Sequence, residues 1–316
     1  MQIEQSNIKY IGYKNIESKD ICIVMCFFNP LGYSNPQKNI ITVCKELDKT
    51  NIPYYIIELV YQNQKSFLTN SFKTVSGKSA FFSKENLWNI VEKSIPDKYT
   101  KIIFMDCDVL FTDPNWVDKV SDKLNIYKII HASEFMYRDI TSNNIYESIS
   151  LNEINIKHSI VKALKTNNEF DFNIYHPGYN ICIDRNTLHK IGGFFEIAYG
   201  TAGDTLFWMC LLNFKRPYCC GLFCAPRFKK IKEAYIEYKN NFNKICNSND
   251  IDYIENNHLL HMYHGSLNNR AYGQQDRFIR GPLELYKNED GVIEINIIHP
   301  TIKDLTSYFQ HRQDDN

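Results

Sequence analysis

ICIVMCFFNPLGYSNPQKNIITVCKELDKTNIPYYIIELVY, residues 21–61, decides the fold class. The run 21–28 is short, wholly apolar and rich in β-branched residues, the signature of a strand buried on both faces of a parallel sheet. Asn29-Pro30 and Leu31-Gly32 are turn signals that stop it. In 37–50, Ile40, Ile41, Val43, Cys44 and Leu47 recur near the helical period. A second apolar run, YYIIELVY at 54–61, follows. Strand, helix, strand is the opening of an α/β protein with a parallel central sheet.

Outward from that unit, residues 62–80 are polar and read as a loop. Ser83 is placed to cap a helix over 84–95, with Leu87, Ile90, Val91 and Ile95 on its buried stripe. KIIFMDCDVLF (101–111) reads as one strand, 116–124 as a short helix and 127–133 as another strand. Residues 138–170 are polar, irregular to helical, and are expected to form an insertion over the site. A turn at Pro177-Gly178 leads to a strand at 179–184 and a helix at 186–191, stopped by Gly192-Gly193. The segment 229–257, rich in charge and Asn, is expected to be a helix plus a loop. The polar tail after about 303 is expected to fray. With no internal repeat or low-complexity linker, one compact domain over 1–316 is expected.

Bulk chemistry narrows the function. The chain carries 36 basic and 36 acidic residues, so no basic surplus points to a nucleic-acid partner. Hydrophobic residues make up 44%, enough for a sizeable core. Of ten cysteines, Cys22, Cys26, Cys107, Cys182 and Cys210 sit in apolar runs, where a free thiol acts as a small core residue. Cys219-Cys220 has no second pair at zinc spacing. The opening MQIEQSNIKY lacks an apolar signal segment and no stretch reaches membrane-span length. A soluble, cytoplasmic protein is expected.

The triplet Asp106-Cys107-Asp108 lies inside an apolar stretch, where two carboxylates are costly unless something neutralises them. On an unbroken strand, alternation puts both on one face and Cys107 on the other. At the carboxyl end of a parallel strand they face the crevice where α/β proteins bind ligands. Oxygen ligands there suit Mg2+ or Mn2+.

Four segments in this order resemble the GT-A glycosyltransferases, most closely the β-1,4-galactosyltransferase type and its bacterial and viral relatives, over roughly residues 21–280. The first, FSKENLWN (82–89), is similar to a donor-binding Phe-x-Arg-x-x-Leu-x-Asn segment; Phe82 would pack near the base and Lys84 would replace the Arg at the diphosphate. The second is the Asp-x-Asp segment, which the resemblance casts as Asp108 on the metal with Asp106 in support. In the third, HPGYNICIDRNTLHKIGGFFEIAYGTAGDTLFW (176–208), Asp204 falls at the catalytic position, in a loop less acidic than the family's. The fourth, HMYHGSLNNRAYGQQDRF (261–278), places His264, and His261 three residues before it, as metal ligands that favour Mn2+ over Mg2+. Arg270 and Arg277 follow as phosphate partners.

The resemblance implies a GT-A fold with a mixed, mainly parallel sheet. Residues 21–135 would form the nucleotide-sugar half, with Phe28 and Asn29 beside the nucleotide. Residues 136–300 would form the half that completes the acceptor and metal sites, leaving 303–316 as the tail. It implies a UDP-linked sugar donor, Mn2+, a glycan, glycoprotein or other hydroxyl acceptor, and an inverting mechanism. Two alternatives stay open at this point. One is a sugar nucleotidyltransferase, although the loop after the first strand has a single Gly. The other is a catalytically degenerate sugar- or nucleotide-binding protein, suggested by the thinned acidity around Asp204.

Overall fold

The computed structural model describes residues 8–61, 64–79, 81, 83–140, 145–146, 156–166, 171, 173–197, 203–212, 229–270, 284–296, 299 and 301–315. The first half of the chain runs β1 (Ile21–Phe28), α1 (Ser34–Leu47), β2 (Tyr54–Tyr61), β3 (Lys73–Gly77), α2 (Lys84–Glu92), β4 (Lys101–Met105), β5 (Val109–Phe111), α3 (Trp116–Leu124), β6 (Ile129–His131) and β7 (Phe135–Ile140). The rest continues with β8 (Ile156–Ser159), α4 (Ile160–Thr166), β9 (Tyr175–His176), β10 (Asn180–Asp184), α5 (Arg185–Ile191), α6 (Gly203–Met209), α7 (Lys229–Ile245), β11 (Ile251–Tyr253), β12 (His258–Met262), β13 (Leu285–Lys287), β14 (Ile293–Ile295) and α8 (Thr301–Arg312).

A seven-stranded sheet in the order β11-β6-β10-β4-β1-β2-β3 forms the centre. β10 runs antiparallel to both its neighbours, and the other pairs are parallel. The parallel core is what the opening βαβ unit predicts, and the mixed, mainly parallel sheet flanked by helices is what the resemblance implies. Alternate side chains of β1 feed opposite cores: Cys22, Val24 and Cys26 join one, while Ile21, Ile23, Met25 and Phe27 join the other. Ser83 caps α2 by accepting from the Asn86 amide, and Gly192, at φ 89°, ends α5 in the left-handed region. Among the described residues no helix is long and apolar enough to cross a membrane.

Several expectations change. Residues 73–77 are an edge strand rather than loop; Val75 and Gly77 are its buried members, so the sequence carries little apolar signal there. Helix α1 begins at Ser34 rather than 37, because Asp315, at the far end of the chain, accepts hydrogen bonds from the amides of Ser34 (2.9 Å) and Asn35 (2.8 Å). The tail is helical over most of its length. α8 packs back on β1, with Phe309 edge-on to Phe28 at 5.3 Å. Within 138–170 the described residues add β7 and β8, joined to β12, β5 and β9 in a second, five-stranded sheet.

The largest departure concerns 101–111. Rather than one strand, β4 ends at Met105, the chain turns through Asp106-Cys107-Asp108, and β5 joins the second sheet antiparallel to β12. A continuous ladder would bury both carboxylates beside each other. The turn separates them and gives each its own cationic or imidazole neighbour.

Candidate functional site

The Asp106–Asp108 turn sits at the carboxyl end of β4, beside β1, where the sheet opens toward β12 and α2. Two backbone bonds hold it: the Asp106 amide donates to the Tyr179 carbonyl (2.8 Å), and the Met262 amide donates to the Asp108 carbonyl (2.9 Å).

Asp106 meets α2. Lys84, the first residue of that helix, places Nζ 2.8 Å from Asp106 Oδ1 and 3.8 Å from Asp204 Oδ2, with its ammonium 4.8 Å from the centre of the Trp88 ring. Burial works against the lysine charge, but Asp106, Asp204 and Glu85 outweigh it and hold its pKa well above the usual value. Asp204 lies in the first turn of α6. Burial raises its pKa, opposed by Lys84 and reinforced by Asp106. Glu85, buried next to them, is pushed up to about 7, first by burial and then, against the pull of Lys84, by Asp204.

Asp108 meets β12 and the segment after it. Its Oδ2 lies 2.9 Å from His264 Nε2 and 3.6 Å from His261 Nε2, and the two imidazole nitrogens are 3.1 Å apart. All three ligand atoms fall within 4.8 Å of one another. Burial alone would raise the Asp108 pKa, yet the two imidazoles bring it well below the usual range. Asp108 Oδ1 is buried and has no hydrogen-bond partner among the described residues, and His261 Nδ1 is the same. An orphaned carboxylate oxygen beside two converging imidazoles fits a divalent cation better than it fits a packing role.

Backbone shape makes room for this cluster. A Cβ on Gly178 would stand 2.5 Å from Asp204 Oδ2 and 2.8 Å from His176 Cε1; one on Gly203 would stand 1.9 Å from the carboxyl carbon of Glu85. A side chain at either position would force these groups to shift.

The structure therefore brings Lys84, Asp106 and Asp204 into one group and Asp108, His261 and His264 into another, joined through the Asp-x-Asp turn. Phe28 stands at the end of β1, edge-on to Tyr61 (4.8 Å) as well as to Phe309. Asn29 closes the following turn, with its side chain donating to the Tyr33 carbonyl (2.7 Å) and accepting from the Tyr33 amide (2.9 Å). Phe82, Arg277 and the Arg270 side chain lie outside the described residues, as does Cys219-Cys220. Sequence reasoning missed Glu85, Tyr179 and Arg312, whose Nη2 lies 3.5 Å from His264 Nδ1. Glu85 follows a flagged lysine on an ordinary helix start, and Arg312 comes from the tail, so neither carries a local signal.

No family model matches the chain, and no curated protein does. Among solved structures it is similar to the catalytic domain of Drosophila β-1,4-galactosyltransferase 7 with xylobiose, at 12% identity and a TM-score of 0.32 over 62% of this chain; it spans 60% of the length of that one. It is also similar to glucosyl-3-phosphoglycerate synthase from Mycobacterium tuberculosis in complex with Mn2+, UDP-glucose and phosphoglyceric acid, at 9% identity and a TM-score of 0.41 over 87% of this chain and 86% of that one. A third similarity is to 4-diphosphocytidyl-2C-methyl-D-erythritol synthase from Anaerococcus prevotii, at 9% identity and a TM-score of 0.33 over 92% and 99% of the two chains.

Proposed function

We propose that the protein is a metal-dependent glycosyltransferase of GT-A fold that moves a sugar from a nucleoside diphosphate donor, UDP-linked, to a hydroxyl of a glycan, glycoprotein or other acceptor. The observation that carries the reading is the meeting of Asp108, His261 and His264, within 4.8 Å, beside the Lys84–Asp106–Asp204 group. One carboxylate and two imidazoles favour Mn2+ over Mg2+, which takes oxygen ligands. Bound there, the ion would neutralise the donor diphosphate and the charge that develops on the leaving group.

The chain's own residues divide the remaining work. Lys84 is half-buried, with its charge favoured by Asp106, Asp204 and Glu85, and is a partner for the diphosphate; as a lysine it offers a point charge rather than a bidentate fork. Phe28 presents a ring at the end of β1 on which a base would pack. Asp204, with its raised pKa, accepts the proton of the acceptor hydroxyl as that oxygen attacks the anomeric carbon. Attack from the face opposite the leaving diphosphate inverts the anomeric centre.

The test is nucleotide release. With UDP-sugars, Mn2+ and a panel of hydroxyl acceptors, UDP release is expected to need the metal and to vanish in Asp108→Ala. Release of pyrophosphate from a sugar phosphate and a nucleoside triphosphate would instead identify a nucleotidyltransferase.

A further inference from the structure

A metal-bound histidine is ordinarily held by a hydrogen bond from its second ring nitrogen, which fixes the tautomer and the ring orientation. His261 lacks that support: Nδ1 is buried and without a hydrogen-bond partner among the described residues, although the ring is almost wholly enclosed. Something else must hold the imidazole with Nε2 toward Asp108.

Among the described residues the ring that packs nearest to it is that of Tyr179, with His264 edge-on at 5.0 Å. The His261 and Tyr179 ring centroids are 4.7 Å apart, with 35° between the planes. Tyr179 also stacks on His176 at 4.4 Å and 8°, and its hydroxyl accepts from Arg138 Nε at 2.9 Å. Its carbonyl accepts from the Asp106 amide, so the same residue pins the start of the Asp-x-Asp turn. Its backbone is at φ 80°, in the left-handed region. Among the described residues the other non-glycine residues there are Asp139, Asn256 and Gln313, whereas Tyr179 is a large aromatic, the kind of side chain for which that conformation is a true outlier. Such strain persists where the surroundings over-determine it, and it gathers at functional sites. Here the left-handed turn lets one residue direct its carbonyl to Asp106 and its ring to His261.

We infer that Tyr179 is the positioning residue of the metal centre, its ring taking the place of the missing hydrogen bond to His261 while its carbonyl sets the Asp106–Asp108 turn. The inference rests on the metal reading of Asp108, His261 and His264. It predicts a division of labour within the side chain. The ring face holds His261, and the hydroxyl only tethers the ring to Arg138.

Mn2+ affinity, measured by calorimetry and by the spin-resonance signal of free Mn2+, tests this on the full chain without donor or acceptor. Melting of each variant in chelator reports the fold separately. Tyr179→Phe keeps the ring and is expected to bind Mn2+ close to the wild-type affinity. Tyr179→Leu keeps apolar bulk but loses the flat face, and is expected to bind about 10- to 100-fold more weakly, the usual effect of removing a ligand's support. A merely structural role would move the chelator melting of these variants and their Mn2+ affinity together. Should Tyr179→Leu fail to fold, Tyr179→Gly decides, since glycine adopts φ 80° without strain; it too is expected to lose affinity. Wild-type affinity in folded Tyr179→Leu or Tyr179→Gly would overturn the inference and leave the metal site standing. No Mn2+ binding by the wild-type chain would overturn the metal reading itself, and the inference with it.

Discussion

Replacing Glu85 by Gln tests the electrostatics of the site without touching a proposed ligand or the proposed base. Glu85 is 3% exposed. Its carboxyl is raised from 4.5 to about 7, chiefly by burial, with Lys84 opposing and Asp204 and Asp106 adding. An acid whose folded pKa lies above its unfolded one is bound to its proton more tightly in the native state. Between those two values the native chain holds more protons than the unfolded chain, so stability falls as pH rises. At about 1.36 kcal/mol per pH unit, ionised Glu85 costs the native state roughly 3 kcal/mol above the upper value. Glutamine cannot ionise and escapes that cost. In urea denaturation with chelator present, wild type and Glu85→Gln should be close in stability near pH 5. The variant should lead by about 2–3 kcal/mol near pH 8, with the gap opening as Glu85 titrates. A stability difference constant across that pH range would refute the reasoning, because it would mean that the proton on Glu85 is not linked to folding.

Asp204→Asn should leave nucleoside diphosphate binding intact and slow transfer by about 10²- to 10⁴-fold, the usual contribution of a general base; a rate near wild type in a transfer assay would remove Asp204 from that role. Gly203→Ala puts a methyl 1.9 Å from the Glu85 carboxyl carbon. It should cost about 1–3 kcal/mol in denaturant titration, in the range of other overpacked sites, and the double variant with Glu85→Ala should recover part of the loss. Asp315→Ala removes the acceptor of the Ser34 and Asn35 amides and should cost about 1 kcal/mol of stability; no change in melting would mean that the Asp315 carboxylate contributes nothing to α1.

Residues close in sequence were legible where local physics decides. The apolar runs of β1 and β2, the Ser83 cap and the Gly192 stop follow from patterning and turn chemistry, and the structure has them within a few residues. The chemistry-bearing residues were legible as types: carboxylates in an apolar stretch, and two histidines three apart. Their grouping was not. Nothing in KIIFMDCDVLF says that the chain leaves one sheet at Met105 and enters another at Val109, because that break depends on β12, some 150 residues later. Likewise, the cap on α1 comes from Asp315 and the support beneath His261 from Tyr179, both supplied by distant parts of the chain. A glutamate in the first turn of a helix is ordinary by sequence; burial against Gly203 and beside Asp204 is what sets Glu85 apart.

The most direct measurement is the melting temperature of the wild-type chain with UDP, GDP, CDP, ADP and TDP, each with and without Mn2+. A ligand that binds only the folded state raises that temperature by mass action. A rise with UDP that requires Mn2+ and disappears in His264→Ala is expected. No rise with any diphosphate in the presence of the metal would contradict the proposed donor and metal site.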